Sequence, residues 1–315
     1  MINLSKIVVV GSYVVDLTAR TPHMPKPGET VLGGPFKMGP GGKGGNQAVA
    51  AARLGAQVTM VTKVGKDMFG DDAIQNFKNE GIASQFINQV EDEATGAALI
   101  AVDNSGENMI VVSLGACGTI TEEEVLRAEA AFKEADIILV QLETSMAAIH
   151  TTINLANKLS KPVILNPAPF QEVSDELLAK VNYITPNETE AGLLTEVEVT
   201  NEESTRKAAE ILLAKGIDTV IITLGKLGCY LLQKGESNGK IIPGYQVQAV
   251  DTTGAGDAFN GGFAHFLAEG NSVEKSCQMA NAVAALSVTK PGTAPAMPYG
   301  EEVEELVGEP NRQER

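Results

Sequence analysis

The chain has 315 residues, of which 43% are hydrophobic, and a formal net charge of −16. The acidic surface repels polyanions, which argues against nucleic-acid binding, and the apolar fraction is ordinary for a globular protein with a large core. Three widely spaced cysteines without a CxxC pair are typical of reduced, buried thiols. The start, MINLSKIVVVG, has a lone Lys6 and an apolar run that is too short for a signal peptide or a membrane span, so we expect a cytoplasmic protein without a membrane partner.

Strand-like and helix-like segments alternate along most of the chain. Gly55 and Gly81 follow two helix-like segments at positions typical of a C-terminal cap, and Thr121 with Glu124 forms a capping-box pattern. The alternation predicts an α/β fold with a mainly parallel central sheet, helices on both faces, and ligands at the carboxyl ends of the strands. The predicted strands are residues 6–10, 57–64, 137–141, 163–166, 183–185 and 219–223, and the predicted helices include residues 46–54, 71–80, 121–133 and 258–268.

Two stretches lack this alternation. Residues 13–37 contain several prolines but no helical period, and residues 96–116 alternate around a turn at 104–107 like a hairpin. Both are too extended for the helical layers, so we interpret them as a small β appendage that could close over the edge of the main sheet. No linker or internal repeat divides the chain, which predicts a single domain over residues 1–315 with this appendage inserted in it.

The run DTTGAGDAFNGG, residues 251–262, lies between an extended apolar segment at 245–250 and a predicted helix. Gly254 and Gly256 allow backbone amides to converge on an anion, and the helix dipole adds to that attraction. Asp257 would lie in the first turn, where a carboxylate can accept the proton of a hydroxyl that attacks phosphorus. The alternative is that Asp257 only caps a helix behind a glycine-rich turn.

A second glycine-rich run, GPGGKGGNQ at residues 39–47, contains a formal GxGxxG but does not follow the first strand directly. It is not a Walker A loop either, because Gly44 follows Lys43. We interpret it as bare backbone against which a small polar ligand lies, with Lys43 and Asn46 as donors, or else as a connection to a tightly packed helix. Asp16 and Glu143 each follow a predicted strand and suit a polyhydroxylated ligand, although a surface turn or a helix cap would explain them too.

Asn187 and Glu190 follow the predicted strand 183–185 and would share one face of a first helical turn. They could position a hydrated Mg²⁺ or its phosphate, or they could form an ordinary N-terminal cap. Residues 223–228 begin at the end of another predicted strand and contain two glycines. They could form a shelf on which a nucleotide binds, or simply a hairpin turn. We assign no metal or catalytic role to the isolated histidines 23, 150 and 265.

Eight sequence runs follow one another along nearly the whole chain. They are GSYVVD (11–16), PGET (27–30), GGKGGNQAVAAARLGA (41–56), QLE (141–143), LNPAP (165–169), TPNETE (185–190), TLGKLG (223–228) and DTTGAGDAFNGG (251–262). In this order they resemble the ribokinases within the ribokinase-type (phosphofructokinase-B-like) family of sugar kinases. The resemblance implies a ribokinase-like fold and transfer of the γ-phosphate of ATP to the 5-hydroxyl of D-ribose or 2-deoxy-D-ribose.

The resemblance also implies a role for individual residues, with Asp257 as the general base. It further implies that the β appendage, residues 13–37 and 96–116, is a lid and that a homodimer forms through it. The anion hole would consist of Gly254, Ala255, Gly256 and Asp257; the sugar would be bound by Val14, Asp16, Gly42, Lys43, Gly44, Gly45, Asn46, Glu143 and Asp257; ATP by Asn187, Thr223, Leu224, Gly225, Lys226, Leu227, Gly228, Gly256, Asp257 and Asn281; Mg²⁺ by Glu190 through water; and K⁺ by Asp251, Thr253, Ser287, Lys290, Gly292 and Ala296.

One residue departs from the family pattern GSxNxD, in which an Asn contacts sugar hydroxyls, because this chain has Val14 there. A ribose hydroxyl against valine would lose water without gaining a partner, which favours a deoxy sugar; deoxyribokinases are similar in having an apolar residue at this position. Two alternatives stay open: a kinase of the same family acting on a nucleoside or a fructose-like sugar, and a non-catalytic sugar- or dinucleotide-binding protein.

Overall fold

Two β-sheets organise the molecule, which the computed structural model describes over residues 5–105 and 107–308. The strand order is β13-β12-β11-β10-β9-β8-β1-β4-β5 in the main sheet and β3-β2-β6-β7 in the smaller one. In chain order the strands are β1 (Lys6–Val10), β2 (Val14–Arg20), β3 (Phe36–Gly41), β4 (Gln57–Gly65), β5 (Ala83–Val90), β6 (Thr95–Val102), β7 (Asn108–Gly115), β8 (Ile137–Gln141), β9 (Val163–Asn166), β10 (Tyr183–Ile184), β11 (Thr219–Thr223), β12 (Gly228–Gln233) and β13 (Lys240–Pro243).

The main sheet is parallel from β5 to β11, whereas β12 and β13 are antiparallel. Helices cover both of its faces, as predicted. The helices are α1 (Lys43–Arg53), α2 (Met68–Asn79), α3 (Glu122–Leu126), α4 (Glu129–Glu134), α5 (Met146–Lys158), α6 (Asp175–Leu178), α7 (Glu188–Thr195), α8 (Glu202–Ala214), α9 (Ala255–Ala268), α10 (Val273–Ser287) and α11 (Gly300–Gly308).

Strand β1 lies between the two layers of the core. Its side chains alternate: Ile7 and Val9 pack with α1, α2, α9 and α10, and Val8 and Val10 pack with the helices of the other face. Strands buried on both faces are expected to be apolar along their whole length. Among the described residues, no helix has the length and apolar character needed to cross a membrane.

The smaller sheet contains both stretches that were predicted to form a lid. Strand β2 follows β1 after three residues and pairs with β3 and β6, and β7 completes the sheet beside β6. The predicted segments 13–37 and 96–116 match these strands, except that β3 continues to Gly41. Gly106, in the predicted turn, lies outside the described residues.

Several predicted boundaries differ from the structure. Helices α1 and α9 begin three residues earlier than predicted. The start of α1 is set by close packing of Gly42 and Gly44 and not by helix propensity, and α9 begins directly after Gly254, whose φ is 81°. The predicted helix 121–133 is two short helices, α3 and α4, although its capping box at Thr121 and Glu124 is confirmed. Residues 245–250 do not form a strand; the preceding strand, β13, ends at Pro243, and β5, β12 and β13 had not been predicted.

Candidate active site

The N-terminal ends of α1 and α9 meet above the carboxyl ends of the central strands. Each helix follows a glycine with positive φ, Gly42 at 83° and Gly254 at 81°. A Cβ on Gly42 would lie 2.7 Å from the backbone N of Val14, and one on Gly44 equally close to the backbone N of Ser12. Only glycine permits this approach, so the glycine-rich run at residues 39–47 lies with its backbone against the segment that joins β1 to β2.

Asp257 lies in the first turn of α9, as predicted, with 6% of its surface exposed. Asn46 Nδ2 donates to its Oδ2 at 2.9 Å, and Gln47 Nε2 donates to its Oδ1 at the same distance. Because a carboxylate accepts and cannot donate, both amides must present their NH₂ groups to it. Asn46 Oδ1 is then left without a hydrogen-bond partner among the described residues, which leaves it available to a hydroxyl donor.

Glu143 follows β8 and is buried beside the start of α1. Its Oε2 accepts hydrogen bonds from Ser12 Oγ at 2.5 Å and from the backbone N of Lys43 at 2.7 Å. The carboxylate therefore holds the glycine-rich turn against the end of β1. This contact joins two of the predicted sugar-binding residues, and Ser12 was not singled out from the sequence.

Asp16 is the third residue of β2 and not in a loop after the first strand. It therefore belongs to the smaller sheet of β3, β2, β6 and β7, which we call the lid sheet. Its Oδ2 accepts from Thr293 Oγ1 at 3.0 Å. Burial raises the pKa of Asp16 to about 6, Thr293 opposes that rise, and the charges of Glu143 and Asp257 add to it. Gly41 gives the carboxylate room, since a Cβ there would clash with it. Several acceptors thus converge on one space.

Lys43 lies among three carboxylates. Burial disfavours its charge, but Asp257, Glu143 and Glu190 outweigh that effect, so the pKa of Lys43 is raised and the ammonium group stays charged. The cation partly balances a site that would otherwise repel a phosphorylated ligand. Gly45, also predicted to be part of the site, is buried in the same first turn of α1.

Val14 lies two residues before Asp16 in β2, so the two side chains are on the same face of the lid sheet. It is 2% exposed and is paired with Gly41 and Gly96. A Cβ at Gly96 would lie 2.8 Å from Val14 Cγ1. Small neighbours therefore make room for this apolar side chain at the base of the lid.

The predicted nucleotide-binding residues lie at the ends of neighbouring strands. Asn187 caps α7 and forms a reciprocal capping box with Glu190, and it also forms a parallel bridge with Thr223 at the end of β11. Residues 224–228 are a tight turn into the antiparallel β12, so the hairpin interpretation is correct for their backbone. Asn281 is buried in α10 and donates to the carbonyl oxygens of Ile242 and Pro243 at 3.0 and 3.2 Å. The structure therefore puts these segments along one edge.

Gly256 and Glu190 provide two observations relevant to a phosphate and its metal. A Cβ at Gly256 would have no atom within 4 Å, so the first turn of α9 borders open space. Burial raises the pKa of Glu190, and the Asn187 hydrogen bond and Lys43 only partly oppose it. The described residues contain no cluster of three acidic, His or Cys side chains that could enclose a metal. A Mg²⁺ ion held by one carboxylate together with phosphate oxygens fits this donor set.

The loops that carry the predicted K⁺ ligands are in contact. Asp251 accepts hydrogen bonds from the backbone N of Thr253 and of Gly292, both at 3.0 Å. The side chains of two other predicted ligands point to protein partners, since Lys290 Nζ pairs with Glu302 at 2.5 Å and Ser287 Oγ donates to the carbonyl of Ala284. Any ion here would depend on backbone carbonyls, including that of Ala296, together with Asp251.

A set of buried polar residues behind Asp257 had not been predicted as part of the site. Gln141 and Asn166 end the apolar strands β8 and β9, which was the one signal the sequence offered for them. The set consists of Gln47, Gln141, Asn166, Thr185 and Asn260, and Thr293 was missed in the same way.

The chain is similar to several known proteins along almost its whole length. A model of the pfkB family of carbohydrate kinases matches residues 4–299. Ribokinase from Haemophilus influenzae is 45% identical over 96% of this chain and 98% of that protein. Deoxyribokinase from Salmonella typhi is 39% identical over 96% of this chain and 98% of that protein.

The fold is shared with a solved structure, that of Arabidopsis thaliana ribokinase complexed with ribose and ATP. The TM-score is 0.89 at 29% identity, with 96% of this chain and 99% of that chain covered. The predicted α/β architecture with its smaller sheet is thereby confirmed. From the family match and the identity along almost the whole chain, we conclude that this chain belongs to the pfkB family of carbohydrate kinases.

Proposed function

We propose that the protein transfers the γ-phosphoryl group of ATP to the 5-hydroxyl of D-ribose or 2-deoxy-D-ribose, with Asp257 as the general base. The observation that carries this proposal is the buried Asp257 carboxylate, fixed by two amide donors in the first turn of α9. An acceptor fixed beside helix amides can take the proton of an attacking hydroxyl while the amides stabilise the phosphoryl group. The relatives named ribokinase and deoxyribokinase support the choice of sugars.

The sugar would occupy the space onto which Asp16, Glu143 and Asn46 Oδ1 converge. All three are acceptors, and a pentose supplies several hydroxyl donors. Val14 offers no polar contact, which favours 2-deoxy-D-ribose at the position where its side chain touches the ring. An enzyme with these features is favoured over the non-catalytic binding protein and over a nucleoside- or fructose-specific kinase.

ATP would lie along the edge formed by Asn187, residues 223–228 and Asn281. Leu227, 61% exposed at this turn, offers an apolar surface to a base, and Gly256 leaves room beside the phosphates. Glu190 would hold Mg²⁺ through water, and the ion, when bound, would neutralise charge on the transferring phosphoryl group. Lys43 would add a fixed positive charge nearby.

A monovalent cation, K⁺, would lie between the 251–253 and 287–296 loops. Two backbone amides hold Asp251, and these hydrogen bonds keep its pKa lowered although burial acts the other way. The ionised carboxylate and the carbonyl groups around it suit a weakly held cation. Because the loop at 251–253 leads directly into Gly254, an ordered cation site would keep the start of α9 in place.

The lid sheet would form a homodimer contact. Its face opposite Asp16 carries exposed apolar side chains from three strands, which is unusual for a free surface. Sedimentation over a range of concentrations tests the contact, and a monomer at every concentration would contradict it. The exposed apolar residues on this face of the lid sheet are Phe36, Met38, Leu99, Met109 and Val111.

The direct test of the proposed mechanism is Asp257→Asn. We expect kcat to fall by roughly 10²- to 10⁴-fold because the general base is lost while the shape of the side chain is kept. Binding of ATP, measured by calorimetry, should remain near that of the parent. Asp92→Asn, at an exposed carboxylate between β5 and β6, is the matched control. Near-normal kcat in Asp257→Asn would exclude Asp257 as the base.

A further inference from the structure

We propose that Gln47 is a positioning residue for the Asp257 carboxylate, held in place by a directional chain of buried carboxamides. This inference rests on the proposed role of Asp257 as general base and deepens it. Gln47 acts through Asp257 and does not need to touch the sugar or ATP.

Every polar atom of the Gln47 side chain is engaged. Its Nε2 donates to Asp257 Oδ1 at 2.9 Å and to Asn166 Oδ1 at 3.0 Å, and its Oε1 accepts from Gln141 Nε2 at 2.7 Å. The residue is completely buried. A carboxamide with both N–H groups and its oxygen in use has one orientation and cannot rotate without losing three hydrogen bonds.

In its proposed role as general base, the Asp257 carboxylate sets the direction of the whole chain of hydrogen bonds. Asp257 only accepts, so Gln47 must present its NH₂ group to it, and the Gln47 oxygen must then face Gln141. Gln141 in turn must donate, which leaves its own Oε1 without a partner among the described residues, packed against the bare backbone of Gly11. An unpartnered buried oxygen is costly, which indicates that the chain is organised around Asp257.

The same chain returns to α9 by a second route. Asn166 Nδ2 donates to the Thr185 carbonyl at 3.1 Å, and Thr185 Oγ1 donates to Asn260 Oδ1 at 2.6 Å. Asn260 Nδ2 donates to the Gly256 carbonyl at 2.8 Å. The first turn of α9 is therefore fixed both at the Asp257 carboxylate and at the backbone of the preceding residue.

Without Gln47, Asn46 would be the remaining side-chain donor to Asp257 in the described structure. One hydrogen bond leaves the carboxylate free to rotate about its Cβ–Cγ bond, whereas two bonds to different oxygens fix its plane. A general base must hold one lone pair toward the hydroxyl, so a rotating carboxylate spends less time in the productive geometry. The expected defect is in turnover and not in binding.

The test is Gln47→Met, which keeps the length of the side chain and removes its donors. We expect kcat to fall roughly 10- to 100-fold, with the KM values for ATP and for the pentose within about twofold of the parent. Gln141→Met, which removes only the support of Gln47, should lower kcat by less than about fivefold. Thr205→Val removes a partly buried hydrogen bond in α8, to the carbonyl of Asn201, and should lower only the melting temperature.

The outcomes separate this inference from the mechanism on which it rests. If Asp257→Asn abolishes turnover but Gln47→Met keeps kcat within twofold, the positioning role is wrong and the general base stands. If Asp257→Asn keeps turnover, there is no base to position, and both proposals fail. A rise in the pentose KM equal to the fall in kcat would also overturn the inference, since Gln47 would then be shaping the sugar site.

A charge-swapped pair covers the case in which Gln47→Met does not fold. Gln47→Glu places two carboxylates in contact and should lower the melting temperature, and Gln47→Glu combined with Asp257→Asn restores one donor and one acceptor. We expect the double variant to melt at a higher temperature than Gln47→Glu alone, in a double-mutant cycle with a clear coupling. Additive melting temperatures would show that these side chains do not interact, and would overturn the inference.

Discussion

Val14 is an apolar residue whose side chain belongs to the same buried cluster as Ala98 and Cys117, two positions before the acceptor Asp16. It is buried on the same face of β2 as Asp16, and Gly41 and Gly96 flank it. A sugar hydroxyl directed at this side chain would give up its water and find no partner. The identity of one side chain is thus expected to decide between two pentoses that differ by one oxygen.

We predict that the parent enzyme uses 2-deoxy-D-ribose with a kcat/KM at least comparable to that for D-ribose. A recovered hydrogen bond contributes about 0.5–1.5 kcal/mol, so Val14→Asn should shift the preference toward ribose by roughly two- to twelve-fold. Both sugars should be measured side by side at saturating ATP, with Val14→Thr as an intermediate. If the parent strongly prefers ribose and Val14→Asn leaves the ratio of the two kcat/KM values unchanged, residue 14 does not determine which pentose is used.

The residues of the site differ in how far the sequence could reveal them. Asp257, Lys43 and Asn46 stand in glycine-rich runs whose local pattern indicates bound anions and close backbone. Gln47 ends one of these runs and Asn166 ends an apolar strand, but no local pattern pairs the two, because only the packing of α1 over the parallel strands brings them together. A single sequence contains no signal for a hydrogen bond of that kind.

Helix α1 connects the proposed sugar-binding residues at its start with the proposed K⁺ loop at its end. Its first turn carries the glycine-rich run, and its last residue, Arg53, donates to the carbonyl oxygens of Pro295 and Met297 at 3.2 and 2.7 Å. Arg53 is in turn fixed by two hydrogen bonds to Glu80 and stacks 4.9 Å from the centre of the Tyr299 ring. The carbonyls that it holds flank Ala296, a proposed K⁺ ligand.

Replacement of Arg53 should therefore affect the cation as well as stability. We predict that Arg53→Met lowers the free energy of unfolding by roughly 2–4 kcal/mol, since Glu80 is left half-buried without its partner. The K⁺ concentration for half-maximal activity should rise several-fold as the 294–297 turn loosens. Calorimetry would measure the binding of the ion directly. Arg53→Lys keeps the positive charge but not the paired guanidinium donors. Its unfolding free energy and its K⁺ response should therefore lie between those of the parent and those of Arg53→Met.

A different result would limit the role of this helix. If Arg53→Met lost stability but responded to K⁺ like the parent, the arginine would anchor the turn without ordering any ion. Activity indifferent to K⁺ in both proteins would instead contradict the cation site itself.

The elements were predicted best where local chemistry determines their ends. Gly55 directly follows the C-cap residue of α1, and Gly81 directly follows that of α2. Their φ angles of 108° and 70° are as expected for glycines that end helices. The antiparallel strands β12 and β13 were missed because a hairpin at the end of a parallel sheet interrupts the strand–helix alternation used to find them. Residues 245–250 alternate like a strand but have no strand partner, which their sequence does not reveal.

At the scale of the whole molecule, acid should unfold the protein partly through His265. This histidine is buried in α9, with Nδ1 3.0 Å from Ser5 Oγ, and burial lowers its pKa to about 4. In the unfolded chain the imidazole has a pKa near 6.5, so between pH 6.5 and pH 4 the unfolded chain binds more protons than the folded protein. The contribution of His265 to the unfolding free energy is therefore fully present above pH 6.5 and is lost as the pH drops toward 4. Asp16, whose pKa is raised to about 6, acts with the opposite sign.

We predict that His265→Gln loses less stability than the parent between pH 7 and pH 5. The difference should be about 2 kcal/mol near pH 5, measured as the change in unfolding free energy on acidification by urea titration. Comparing each protein with itself at pH 7 removes the cost of the substitution and the common contribution of Asp16. Parallel acid profiles for the two proteins would contradict a neutral, buried His265.

The lid is encoded in two separate parts of the chain, β2 with β3 and β6 with β7, and the chain crosses between lid and core four times. A gene chimaera with one breakpoint between them would join half of one lid to half of another, and the central β2–β6 pairing would have to form between strands that had not been selected together. Exchange of sugar preference among relatives by recombination therefore requires at least two coordinated segments. Single substitutions such as the one at residue 14 are the simpler route by which specificity can change in this architecture.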